Sequence, residues 1–227
     1  MFSNKKAAVI FRLGLIIALG GLYWSYPQSA RADTIYRSGH ITSNETWTAG
    51  NVYVIQDHVT VDSGVALTIQ GGAIVKFAGN KLLGVNGVLK VQGTAANPVY
   101  ITSLKDDTVG GDTNNDGNAT APDRGNWGQI AFLDSSVDSE NLIEHAVIRY
   151  GGYFDNNWYQ YYGDCGACKY NYMVWVNRAG LTMQHSLLEY SYDEGLRISY
   201  PDDAPNVVVH YCTFRLNNGS GVRAVRP

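Results

Sequence analysis

The chain has 227 residues, is 45% apolar, and carries a formal net charge of −3 from 17 Lys and Arg against 20 Asp and Glu. This length suits one domain with a sizeable core, and the acidic balance argues against a nucleic-acid partner, which needs a basic patch. Three cysteines (Cys165, Cys168 and Cys212) are too few for a disulfide scaffold.

Residues 1–32 read as an export signal. Lys5, Lys6 and Arg12 form a basic start, Leu13 to Trp24 is an apolar run of 12 residues, and Ala30-Arg-Ala32 is a small-x-small cleavage site. The run is shorter than the ~20 apolar residues of a comfortable membrane span; an uncleaved anchor is the competing reading. Cleavage gives a mature start at Asp33. The segment carries four of the 17 basic residues and none of the 20 acidic ones, so the remainder holds 13 against 20, a net charge of −7. Such a surface fits cation binding or a neutral partner.

Residues 33–57 show no clean partner in the rest of the chain and are expected to form an N-terminal cap. From residue 58 short apolar strands recur in threes. Val59-Thr-Val61, Leu67-Thr-Ile69 and Ile74-Val-Lys-Phe77 are followed by Leu82-Leu-Gly-Val85, Val88-Leu-Lys-Val91 and Val99-Tyr-Ile101, at offsets of 23, 21 and 25 residues. A period of this size marks a solenoid whose units bury their apolar faces by stacking. Three short strands per unit predict an all-β, right-handed parallel β-helix. First-strand markers fall at Val59, Leu82, Ile130, Val174, Leu196 and Val222, in steps of 23, 48, 44, 22 and 26 residues. The reading is therefore about six coils over 58–227, two of them carrying long corner inserts at 104–126 and 151–171, which loop-closure entropy tolerates.

The first insert holds Asp112-Thr-Asn-Asn-Asp-Gly-Asn-Ala-Thr-Ala-Pro-Asp123. Oxygen donors at loop positions 1, 3 and 5 (Asp112, Asn114, Asp116), a turn glycine at 6, the carbonyl of Asn118 at 7 and Asp123 at 12 follow the calcium-loop spacing. The departure is Asp instead of Glu at the last position, whose shorter arm weakens bidentate ligation. No helices flank the loop, and Asp106 and Asp107 are near enough to contribute. The alternative is an unliganded Asn/Asp/Gly turn.

The second insert is aromatic: Trp158, Tyr159, Tyr161 and Tyr162 sit beside Cys165-Gly-Ala-Cys168. Its rings suit either a self-packed loop or a recognition surface for sugar or protein, since Tyr and Trp offer an apolar face with a polar edge. The cysteine pair fits a local disulfide; zinc would need two further ligands that the spacing does not supply. Cys212 lies in a strand and reads as a small buried hydrophobe. Both inserts leave after the third strand of a coil and so share one corner.

In the late coils Ser186-Leu-Leu-Glu-Tyr190 recurs as Cys212-Thr-Phe-Arg-Leu216, and Gly195-Leu-Arg-Ile198 as Gly221-Val-Arg-Ala224, both offset by 26. This alignment stacks Arg197 on Arg223, and a parallel one stacks His145 on His185. Asp193, Glu194 and Arg197 are the weak candidates for catalysis; the competing account is a charge ladder. The chain stops at Val225-Arg-Pro227 inside a coil, which predicts either a longer product or an end covered by another chain.

The runs Val59-Thr-Val-Asp-Ser-Gly-Val-Ala-Leu-Thr-Ile69, Gly72-Ala-Ile-Val-Lys-Phe77, Gly87-Val-Leu-Lys-Val91 and Trp127-Gly-Gln-Ile130 resemble bacterial secreted right-handed parallel β-helix proteins of the pectate-lyase-like superfold. The resemblance implies a secreted or cell-surface protein. It carries over no catalytic residue, because no lyase or glycosidase signature accompanies it, and one superfold hosts unrelated activities. The expected function is an exported, calcium-stabilised scaffold or binding module whose partner is a polysaccharide or a surface protein. The alternative is a polysaccharide lyase or glycoside hydrolase acting on acidic polysaccharide.

Overall fold

Parallel pairing sets the architecture. The computed structural model describes residues 33–153, 171–200 and 206–225, and every strand pairing among them is parallel. Strands are numbered in chain order. One sheet stacks β2 (Glu45–Trp47), β4 (Ala66–Gln70), β7 (Val88–Gln92), β10 (Leu142–Glu144), β13 (Leu181–Gln184) and β16 (Val207–His210). The other is 12-stranded. One arm of it runs through β5 (Ile74–Phe77), β8 (Val99–Ser103), β11 (Ala146–Arg149), β14 (Leu187–Glu189) and β17 (Thr213–Arg215). Its other arm runs through β6 (Leu83–Val85), β9 (Ile130–Phe132), β12 (Tyr172–Asn177), β15 (Glu194–Ser199) and β18 (Val222–Val225). The arms meet at β3 (Val52–Val61), against which β1 (Thr34–Ile41) also pairs. The described chain is a right-handed parallel β-helix whose sheets wrap nearly closed around an axis.

Alternation at period two produces this winding. Leu67 and Ile69 of β4 point inward, and Val91, Ile143 and Met183 continue the Ile69 column in register, all with no exposed surface. Each coil thus buries its inward side chains against those of the next, which is why no unit closes a core by itself.

The late offsets hold. Leu187 faces Thr213 and Leu196 faces Val222, both 26 residues apart, and Val147 faces Leu187. Two expectations shift. Val59 faces Leu83 and not Leu82, because the backbone of Leu82 is used at the turn, where its carbonyl accepts from Val59 N at 3.0 Å. Residues 33–57 also belong to the ladder and do not stand outside it. Glu45–Trp47 faces Leu67–Ile69, and Val52–Ile55 faces Ile74–Phe77. The boundary is hidden in the sequence because β3 turns the corner as one unbroken 10-residue strand with no glycine or asparagine between its halves.

Several corners are held by side-chain stacks at left-handed backbone positions. His145, His185 and Tyr211 have φ of 45°, 51° and 55°. Their rings stack at 4.8 Å and 5.0 Å. The next corner repeats the device with Tyr150 and Tyr190, 5.2 Å apart. Stacking and packing along the axis offset the cost of a left-handed conformation, roughly 1–2 kcal/mol per non-glycine residue.

The bases of the two inserts lie side by side. Asn126 N donates to Tyr150 O at 2.8 Å, Gly152 N to Gly128 O at 2.8 Å, and Tyr192 N to Gly151 O at 2.9 Å. Trp127 plugs the core beneath them, fully buried, stacked 4.4 Å from Phe77 and donating through Nε1 to Arg149 O at 2.8 Å. A Cβ on Gly151 would sit 2.5 Å from the Trp127 ring. That ring is fully buried, stacked on Phe77 and tied at Nε1, so it has little room to yield. Gly151→Ala is expected to cost about 1–3 kcal/mol, the usual penalty of overpacking; a thermal melt unchanged from wild type would contradict this packing.

Candidate functional site

The first insert is the best-defined polar site among the described residues. It leaves β8 and folds back across the outer face of β3 and β5. At Gly110, φ +68°, a Cβ would meet Val52 Cγ2 at 2.9 Å and Ile74 Cδ1 at 3.2 Å, so only glycine lets the backbone lie this close. The insert covers apolar side chains on this outer face: Val52 and Val54, which alternate with the core residues Tyr53 and Ile55, are buried.

Two buried charged residues fix the insert. Lys76 of β5 has no exposed surface. Its Nζ donates to Gly111 O at 2.8 Å and Thr113 Oγ1 at 2.7 Å. Asp106, also fully buried, accepts from Thr102 Oγ1 at 2.6 Å, Thr108 Oγ1 at 2.7 Å and Arg149 Nε at 2.8 Å. Burial alone would raise the Asp106 carboxyl; hydrogen bonds from Thr102 and Thr108 and the Arg149 charge outweigh it and hold the group below the usual carboxylate range. Arg149 reaches on to Glu189 at 3.9 Å, which binds Arg215 at 2.8 Å.

Above this base the loop turns on itself. Asp112 accepts from Asp116 N at 3.1 Å and Gly117 N at 2.9 Å. Asn114 Nδ2 donates to Asp116 Oδ2 at 2.7 Å, which orients the amide oxygen. Carboxylate oxygens of Asp107, Asp112 and Asp116 lie within 4.8 Å of one another. The Oδ1 atoms of Asp107, Asn114 and Asp116 are buried and have no hydrogen-bond partner. Buried oxygens are normally satisfied. Carboxylate and amide oxygens are the ligand types that a hard divalent cation takes.

Of the five loop residues singled out by spacing, Asp112, Asn114 and Asp116 meet in this way, and Asn118 is exposed beside Gly117. Asp123 is not part of the carboxylate cluster. Its Oδ1 accepts from Arg124 N at 2.7 Å, and its N donates to Asn126 Oδ1 at 2.8 Å, so it closes the turn leading into Trp127. The flanks are turns and no helix returns position 12 to the loop. Asp107 occupies the cluster in its stead.

The weak catalytic candidates form a charge ladder. Glu194 is buried and binds Arg197 at 3.2 Å and Arg223 at 3.1 Å. Arg197 and Arg223 face each other in register. Asp193 accepts from Gly219 N through its main-chain oxygen at 2.8 Å. Cys212 is half-buried against the core, and burial pushes its thiol up. Trp158, Tyr159, Tyr161, Tyr162, Cys165 and Cys168 lie outside the described residues. A groove of about 330 Å³ runs beside the stacked His145, His185 and Tyr211, with Pro98 and Arg215 on its walls.

Spacing alone missed Lys76, Arg149 and Arg124. Arg124 spans the inserts' corner, stacking over Tyr190 at 5.3 Å and donating to Leu216 O at 2.6 Å. A legible signal for Lys76 existed: the unbroken apolar run Val52-Tyr-Val-Ile55 beside it implies a strand buried on both faces.

The family model described as a pectate-lyase like beta helix domain matches residues 39–156, just over half of the chain. The match includes the end of β1, all of β2 to β11 and the whole carboxylate loop, and ends before Asp193, Glu194 and Arg197. No curated protein and no solved structure gives a match. With parallel strands wound nearly closed around an axis and a match of this extent, the chain belongs to the pectate-lyase-like β-helix domain family.

Proposed function

We propose that this protein is an exported β-helix that binds calcium in its first insert and serves as a surface scaffold or a carbohydrate- or protein-binding module without catalysis. The observation that carries the calcium reading is the set of unpaired buried oxygens on Asp107, Asn114 and Asp116, together with the clustered carboxylate of Asp112. Calcium takes six to eight oxygens and suits a flexible set of carboxylate, amide and carbonyl ligands. Bound there, it would stiffen an insert that already covers the apolar face of β3 and β5. Export rests on the basic start, apolar run and Ala30-Arg-Ala32 site of residues 1–32.

The non-catalytic reading is supported by Glu194, whose carboxylate is used up by two arginines. A recognition role for the second insert rests on its composition, with Trp158, Tyr159, Tyr161 and Tyr162 in the sequence beside Cys165 and Cys168. The test is incubation of the mature protein with neutral and acidic polysaccharides, with calcium and with chelator, scoring retention and new chain ends together. Retention without new ends is the expected result for a binding module, and new chain ends would overturn the reading.

A further inference from the structure

Lys76 is a full positive charge with no exposed surface, set directly beneath the carboxylate loop. Such a charge is costly to bury without compensation. Its two hydrogen-bond acceptors, Gly111 O and Thr113 Oγ1, flank Asp112 in sequence and are both uncharged. Burial holds the Lys76 amine below the usual lysine range, and Asp107, Asp106 and Asp112 offset part of that cost through space. Asp106 is already neutralised by Arg149 at 2.7 Å. The charge left to balance Lys76 is therefore carried by Asp107 and Asp112, two of the clustered carboxylates.

We propose that Lys76 is a tethered internal cation that shares the calcium site's carboxylates and sets its affinity low, in the range suited to the calcium concentrations outside cells. This rests on the calcium reading above. Before the metal arrives, the ammonium relieves the repulsion among three carboxylates and keeps the insert on β5. Once calcium enters, two cations face the same carboxylates, and binding weakens by the repulsion between them. Calcium loops are tuned from nanomolar to millimolar dissociation constants by ligand charge count and rigidity, with extracellular modules near ~10⁻⁴–10⁻³ M. A buried lysine lowers the effective charge count without removing a ligand. The hydrogen bonds within the loop, from Asp116 N and Gly117 N to Asp112, do not involve Lys76 and keep the turn when it is replaced.

Calcium titrations by isothermal calorimetry on wild type, Lys76→Met and Lys76→Gln test this. Met fills the buried channel without charge, and Gln adds back a donor, so one of the two should fold if the other does not. Each is expected to bind calcium at least about tenfold more tightly than wild type, while Lys76→Arg keeps the wild-type affinity. Unchanged or weaker binding in a folded neutral variant, with wild type still binding, would overturn the role of Lys76 and leave the calcium site standing. Absence of binding in wild type and variants alike would overturn the calcium reading, and this inference with it.

Discussion

Saturating calcium is expected to raise the melting temperature of the mature protein by about 5–10 °C, and Asp116→Ala to abolish the rise. The size follows from linkage. A ligand at one hundred times its dissociation constant adds about 2.7 kcal/mol to stability, and ~1 kcal/mol shifts the melting temperature of a domain of this size by about 2–4 °C. Asp116 is the residue to remove because one oxygen is unpaired and the other accepts from Asn114. Its loss takes away a ligand and frees the amide that it orients. A chelator should reproduce the variant's behaviour in wild type. Melting curves that coincide with and without chelator would remove the metal from the proposal.

Asp106→Ala is expected to destabilise the fold by about 3–5 kcal/mol, the usual cost of stripping one partner from a buried ion pair, seen as a fall of roughly 10 °C in melting temperature. The carboxylate is fully buried and takes hydrogen bonds from Thr102, Thr108 and Arg149. Its removal leaves Arg149, 14% exposed, with Glu189 at 3.9 Å as its remaining ion-pair partner. Asp106→Asn should recover part of the loss by keeping an oxygen for the two threonines. A melt within about 2 °C of wild type would show that the insert is not pinned at this point.

The winding of this chain was legible because a β-helix writes its register into offsets. Leu196 to Val222 and Val147 to Leu187 recur at the spacings on which the strands pair. The register blurred where turn residues were missing. β3 carries two ladder strands without a break, so the first coil read as something apart. A one-residue slip at Leu82 went unseen because Leu82 and Leu83 are both apolar and both buried. The donor pattern Asp112, Asn114, Asp116 was visible because an oxygen-ligand loop is local. What replaces Asp123 was not, since Asp107 joins the cluster through the way the insert folds back, and the anchors Lys76 and Arg149 come from strands 35 and 43 residues away from their partners. Long-range contacts on the outer face of a solenoid leave no period in the sequence.

The proposed ligand set departs from the spacing pattern at two residues, Asp107 and Asp123. Calcium binding measured by calorimetry on Asp107→Ala and Asp123→Ala, beside wild type, tests it most directly. Asp107→Ala is expected to lose binding, while Asp123→Ala, which removes a carboxylate that serves a turn at Arg124, is expected to keep it. Binding that survives loss of Asp107 but not of Asp123 would place the metal on the spacing pattern and not on the clustered carboxylates.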